Sequence, residues 1–242
     1  MQNSLMKTVS VVDLGITHYQ STWDLQRRIF DLRVAGLIGD VLLINEHRHV
    51  YTIGKSGNDN HLLSDEAELQ KNGAEVFHID RGGDITYHGP GQLVCYPILD
   101  LNRYYLDVRR YLRDLEEVVI RTLAEYGIQA HRDEQFTGVW VENEKIAAIG
   151  VKTSHWVTMH GFAFNVNTDL SFFERIIPCG IFHKGVTSVQ RLLNQSIPMN
   201  DISSKIIRHF GDVFGCTIMQ NDRNEFLQSL QTITTETTEC LQ

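Results

Sequence analysis

Four consecutive apolar residues, Leu93-Val94-Cys95-Tyr96, lie inside a β-prone segment over 92–99. Successive side chains of a strand point to opposite faces, so this strand needs apolar cover on both sides. A chain built around it must place a sheet in the interior. The remaining elements follow from periodicity. Strands are expected over 9–14, 40–45, 49–53, 75–79, 139–141, 146–152, 156–158 and 160–166. Apolar residues at 108, 111, 112, 115, 118, 119, 123 and 126 make a sustained helical stripe, with Gly127 as its stop. Further helices are expected over 19–35 and 202–214, and a short one after Ser64, which would cap it, ending at Gly73. Strands and helices come in blocks rather than in strict βαβ alternation. The expectation is therefore an α+β fold: a single mixed-sheet domain.

With 242 residues, 42% of them hydrophobic, the chain can bury one large core, and no Pro/Ser/Gly-rich linker divides it. The formal charge of −8 argues against nucleic-acid and anionic-membrane surfaces, which call for basic protein. No basic region followed by a sustained apolar stretch opens the chain, and no apolar run approaches the roughly eighteen residues of a membrane span. A soluble, cytoplasmic protein is expected. Cys95, Cys179, Cys216 and Cys240 are far apart with no CxxC pair, so neither a disulfide framework nor a zinc site is indicated. His47 and His49 form an HxH pair without an evident third ligand, and no metal is expected.

Three segments carry chemistry. Residues 81–92, RGGDITYHGPGQ, hold four glycines and a proline, a backbone that turns sharply or lets a ligand approach. Arg81, Thr86, Tyr87 and His88 supply donors there. The segment matches neither a Walker loop nor a GxGxxG fingerprint. By composition alone it reads equally well as a glycine-rich hairpin. The second segment, EKIAAIGVK over 144–152 running on to MHGFAFNV over 159–166, puts Lys145 at the head of a small-residue strand. Lys145 there is either an acid/base or electrostatic group or a strand-end lysine reaching to water. Ala147, Ala148 and Gly150 leave open space beside it. The third is Ile177-Pro178-Cys179-Gly180-Ile181, followed by Val186-Thr187-Ser188. A lone cysteine is commonly a buried apolar residue, but Pro and Gly on either side put this thiol on a tight turn able to face a cleft.

Together these segments resemble the signature of the lipoyl(octanoyl) transferases, the lipoate–protein ligase B family. Its pattern is an RGGxxTYHGPGQ loop, a K(I/V)AAIG strand leading to an HGFALN-type segment, and a PCGI turn followed by VTS. The resemblance spans about 9–193. It implies the biotin/lipoate ligase catalytic-domain fold, one mixed sheet flanked by helices, as a single catalytic domain over 1–242, with a helical part over 194–231 and a frayed tail from 232. It implies octanoyl transfer from octanoyl-acyl carrier protein, through a thioester on Cys179, to the lysine of lipoyl domains of 2-oxoacid dehydrogenases and of the glycine cleavage H protein. This would be the first step of endogenous protein lipoylation. Lys145 would lower the thiol pKa and move protons. The acyl groove would be lined by Arg81, Gly82, Gly83, Asp84, Ile85, Thr86, Tyr87 and His88, by Ala148, Ile149 and Gly150, and by Gly161, Phe162 and Ala163. No cofactor is implied, because the donor is already a thioester. Arg48 stands where the family more usually has proline, and residues after Asn194 match nothing assignable.

Three other readings compete: an ATP-dependent lipoate or biotin ligase on the same fold, a thioesterase, and a non-catalytic module binding acyl carrier or lipoyl domain. The Pro-Cys-Gly turn separates the first from the transferase. Arg103, Arg109, Arg110 and Arg113 form the densest basic group, read either as a solvated face balanced by Asp114, Glu116 and Glu117 or as a docking surface for an acidic carrier protein.

Overall fold

The computed structural model describes residues 7–177 and 185–239, with side chains through 233 in the second stretch. Pro178, Cys179, Gly180, Ile181 and Cys240 lie outside the described residues. In chain order the strands are β1 (Thr8–Thr17), β2 (Asp40–His47), β3 (Val50–Ile53), β4 (Glu75–His78), β5 (Ile85–His88), β6 (Gln92–Ile98), β7 (His131–Arg132), β8 (Val139–Val141), β9 (Glu144–Ser154), β10 (Val157–Asn165), β11 (Gly185–Val186) and β12 (Thr217–Gln220). The helices are α1 (Tyr19–Val34), α2 (Glu66–Lys71), α3 (Val108–Ala124), α4 (Val189–Leu193), α5 (Met199–Phe214) and α6 (Arg223–Glu239).

A nine-stranded sheet runs in the order β12-β1-β2-β6-β10-β9-β8-β7, with β11 also beside β9. It is mixed: β1 lies parallel to β12 and β2, whereas β2, β6, β10 and β9 pair antiparallel. Both faces are covered, as the Leu93–Tyr96 run requires. Leu42, Leu93, Cys95, Phe162 and Phe164 enter one core with Tyr111, Leu115 and Val119 of α3 and Ile206 and Phe210 of α5. Leu43, Val94, Tyr96 and Ala163, their neighbours in sequence, enter the other with Ile29 and Phe30 of α1 and Leu230 of α6. A separate three-stranded sheet, β4-β3-β5, packs Tyr51, Ile53, Ile85 and Tyr87 against Phe172 and Ile176.

Four local expectations change. The cap of α2 is Asp65, not Ser64: its carboxylate accepts from the Glu68 N–H at 2.8 Å. The β9–β10 turn falls at His155 and Trp156, both with positive φ, so 157–165 is one strand where two were expected. Residues 85–88, inside the glycine-rich segment, form β5 against β3. At the C-terminal end, Thr217–Gln220 adds an edge strand beside β1, and helix α6 continues to Glu239 where a frayed tail was expected.

Candidate active site

The main sheet and the small sheet are joined by the glycine-rich loop, and a cavity of about 490 Å³ lies between them. Its floor is β9 and β10, paired in register with Ala148 opposite Ala163, Ile149 opposite Phe162 and Gly150 opposite Gly161. Ala148, Ala163, Gly150 and Gly161 leave the room that larger side chains would fill. At Gly150 a Cβ would come within 2.9 Å of the Gly82 carbonyl oxygen and 3.0 Å of Arg81 Cδ, so glycine is required for the loop to lie on the strand.

The roof is residues 81–86 with β5. Gly82 donates its N–H to the Val151 carbonyl at 3.0 Å, which ties the roof to β9. On the other side Gly54, Lys55 and Ser56 donate to the carbonyls of Asp84, Arg81 and Gly83. Arg81 is buried and gives Nη2–H to the Thr52 carbonyl at 2.6 Å and to Thr52 Oγ1 at 2.9 Å. Asp84 accepts from its own neighbour Ile85 N–H at 2.7 Å and contacts His61 Nδ1 at 2.6 Å, closing the turn over 54–61. Asp80, just before the loop, meets Lys152 Nζ of β9 at 2.6 Å and His160 Nε2 of β10 at 2.8 Å. These two hydrogen bonds hold its carboxyl well below the usual carboxylate range. Burial lowers the His160 pKa, and the hydrogen bond to Asp80 opposes that shift. His160 keeps a φ of 60°, a left-handed conformation rare for a residue with a side chain.

The inner end is aromatic and imidazole-rich. Tyr19 stacks on His88 with centroids 6.1 Å apart, and Tyr96 Oη lies 2.6 Å from His47 Nε2 behind the wall. Burial drives the His88 pKa down to about 4, and Gln92 Oε1 accepts from its Nδ1 at 2.8 Å. The outer end is marked by Lys145. Its Nζ lies 3.3 Å from the Thr137 carbonyl and 4.8 Å from the Trp140 ring centroid. Thr187 donates its N–H to the Lys145 carbonyl at 3.0 Å and β11 pairs with β9 at Glu144 and Lys145, so the segment from Gly185 to Thr187 is anchored beside this lysine. The fully buried Glu116 of α3 accepts from Gly138 N–H at 3.0 Å and thereby fixes the turn that receives Lys145.

The cavity thus brings together Lys145 and thirteen of the fourteen expected groove residues, the exception being Tyr87. Strand alternation turns Tyr87 to the far side of the small sheet, where its hydroxyl lies 2.7 Å from His49 Nδ1 and its ring stacks on Phe172. Cys179 lies outside the described residues. Tyr19, Tyr96, Val108, Leu112, Phe136 and Trp140 also line the cavity and were not expected there. As apolar or aromatic residues, all but Phe136 in regular elements, they carry no sequence signal beyond that of core. His47 and His49 point to different surroundings, one to Tyr96, the other to Tyr87. Of the basic group, Arg103 pairs with Asp40, Arg110 lies over the Tyr105 ring near Asp114, and Arg113 pairs with Glu116.

The lipoyl protein ligase A/B catalytic-domain model matches residues 18–211. An octanoyltransferase of Cytophaga hutchinsonii is 45% identical over 233 residues, covering 88% of this chain and 96% of that one. An octanoyltransferase of Rubrobacter xylanophilus is 53% identical over 203 residues, covering 83% and 91%. Among solved structures, a bi-partite lipoate protein ligase from Thermoplasma acidophilum superposes with a TM-score of 0.73 at 18% identity, covering 93% of this chain and 90% of that one. This last likeness is one of fold.

Proposed function

The chain belongs to the lipoyl protein ligase A/B catalytic-domain family, and on that premise we propose that it is an octanoyltransferase acting in protein lipoylation. The observation that carries the reading is 45% and 53% identity to octanoyltransferases over most of the chain. A small-residue groove with Lys145 at its outer end supports it. The donor is octanoyl-acyl carrier protein and the acceptors are the lysines of lipoyl domains, including those of 2-oxoacid dehydrogenases and the glycine cleavage H protein. Among the described residues no helix is long and apolar enough to cross a membrane; the proposed setting is the cytoplasm, where these partners would be met.

The proposed nucleophile is Cys179. Its thiolate attacks the donor thioester carbonyl, and the tetrahedral oxyanion collapses with loss of the carrier thiolate, which takes up a proton. The neutral amine of the acceptor lysine then attacks the enzyme thioester, the carbon–sulfur bond breaks, the attacking nitrogen gives up a proton to the departing Cys179 sulfur, and an amide and the free thiol result. The first exchange is thioester for thioester and needs no nucleotide; the second is downhill. A cationic Lys145 beside the thiol favours the thiolate and lowers the thiol pKa below the free value of about 8.5. The described thiols would make poor nucleophiles, because burial pushes Cys216 up to about 11, and Cys95, fully buried, higher still.

The test is intact mass after incubation with octanoyl-acyl carrier protein in EDTA without ATP. One octanoyl increment removable by hydroxylamine is expected, absent in Cys179→Ala, and Lys145→Ala should shift the pH dependence of iodoacetamide alkylation upward. An adduct mapping to Cys95 or Cys216 refutes the assignment. A strict need for ATP and magnesium moves the protein to the ligase reading.

A further inference from the structure

We infer that Glu116 is a positioning residue for acyl transfer: through the Thr137–Gly138 peptide it aims the carbonyl that holds Lys145 at the outer end of the groove. That role rests on the transferase reading, in which Lys145 serves the nucleophile.

Glu116 stands one turn on from Leu112, which lines the groove, and it is fully buried. A buried carboxylate is costly unless its oxygens are engaged, and this one divides them. Oε2 takes two guanidinium groups, Arg113 Nη1 at 2.7 Å from the same helix and Arg132 Nε at 3.2 Å from β7. Oε1 takes an uncharged donor, the Gly138 N–H at 3.0 Å. Charge balance calls only for the arginines. The third contact reaches out of the ion cluster to the backbone just before β8.

That N–H belongs to the same peptide plane as the Thr137 carbonyl, which accepts from Lys145 Nζ at 3.3 Å. In a trans peptide the two groups point in opposite directions. Fastening the N–H end to Glu116 therefore turns the carbonyl end towards Lys145, and hydrogen bonds in series polarise one another. Gly138 has a φ of 136°, and a Cβ there would stand 2.7 Å from the Ala147 carbonyl oxygen and 3.3 Å from Lys145 Cε. The peptide passes this close to the lysine stem because the residue is glycine. Elsewhere around Lys145, its Nζ lies over the Trp140 ring, and the adjacent acid, Glu144, accepts from Arg191 Nη2 of α4 at 3.0 Å.

The experiment compares Glu116→Leu and Glu116→Gln with Lys145→Ala, singly and combined. Single-turnover acyl-enzyme formation from octanoyl-acyl carrier protein is read by intact mass, and the pH dependence of iodoacetamide alkylation is read at the Cys179 peptide. Glu116→Leu should slow acyl-enzyme formation about tenfold, the low end of what a hydrogen bond to a charged group contributes. It should also shift the alkylation profile upward, as Lys145→Ala does. Glu116→Gln keeps an acceptor for the Gly138 N–H without the charge. Charge-assisted bonds are roughly twice as strong as neutral ones, so this variant should lose only about threefold. Glu117→Gln, which removes a partner of Arg121 and Arg132 without touching Gly138, should leave both readouts as in the wild type. A positioning role acts through the lysine, so adding either Glu116 change to Lys145→Ala should cost nothing further. If the leucine variant does not fold, the glutamine variant decides alone. An alkylation profile that coincides with the wild type in a folded Glu116 variant, or a loss undiminished in the Lys145→Ala background, overturns the positioning role. Absence of any acyl adduct in the wild type overturns the transferase reading, and the positioning role with it.

Discussion

β9 and β10, the floor of the groove, belong to a continuous ladder whose alternate residues are locked into two hydrophobic cores. The roof over residues 81–84 has no such ladder; only its continuation at 85–88 pairs with β3. It is suspended by main-chain bonds to the 54–57 turn and to Val151, and by the side chains of Asp80, Arg81 and Asp84. The floor is therefore held mainly by its main-chain ladder and by non-directional apolar burial, and the roof mainly by directional polar contacts that depend on charge. On the proposed reading, a surface that binds an acyl chain and admits its donor gains from the pairing. The rigid half sets the shape and the polar half can yield without unfolding the protein.

The sharpest way to break this contrast is a matched pair of glycine substitutions. At Gly161 a Cβ would collide with the Cys95 carbonyl of β6, and at Gly54 with the Gly83 carbonyl of the roof. Gly161→Ala must push β10 and β6 apart in the centre of the sheet and is expected to lower the unfolding free energy by about 3 kcal/mol, the upper range for overpacking. Gly54→Ala displaces a loop and should cost about 1 kcal/mol, with most of its effect appearing as slower acyl-enzyme formation. Denaturant unfolding and single-turnover rates, measured together, separate the two. The reverse order of stabilities would mean that the roof is part of the cooperative core.

The second test sharpens the electrostatic side. His88 is buried with its pKa lowered to about 4, while an unfolded histidine titrates near 6.5. Between those values the unfolded chain binds the extra proton, so stability is full above about pH 6.5 and falls as pH drops towards 4. For His88 alone the loss from pH 7.5 to 5 is about 2 kcal/mol. His47 and His160, whose pKa values burial also lowers, act in the same direction. His88→Gln should flatten the decline. A slope identical to wild type would show that His88 takes no part in it.

The same contrast explains what could be read in the sequence. The floor was legible: Lys145, Ala148, Gly150 and Gly161 stand on strands whose apolar alternation locates them, and α1, α3 and α5 followed from helical periodicity. The roof was legible as a motif but not as a structure. Nothing in 81–92 distinguishes a strand at 85–88 from a loop, because its pairing with β3 is made by residues more than thirty positions earlier in the chain. Asp80 carried no signal at all, since its partners Lys152 and His160 come from strands that only the fold brings near. Tyr96 read as core, which it also is. Local pattern reports which face of an element is apolar; it does not report which polar groups meet across elements.

The smallest effect is expected where that limit misled the reading. Tyr87 stands between Thr86 and His88 in the motif and was expected in the groove, yet it is fully buried on the opposite side of β5, stacked 4.7 Å from Phe172. Tyr87→Phe keeps the ring and its stacking and removes only the hydrogen bond to His49. Because His49 is partly solvated and can find water instead, the cost should be about 1 kcal/mol or less. Acyl-enzyme formation should remain within about twofold of wild type, under roughly 0.5 kcal/mol on the barrier. Tyr87 and His88 thus become a test of alternation within a single strand. His88 substitution should disturb the groove and the pH dependence, and Tyr87 substitution neither. A collapse of transfer in Tyr87→Phe would mean that the small sheet moves as a unit with its roof, and that the phenol on its far side helps to hold the groove closed.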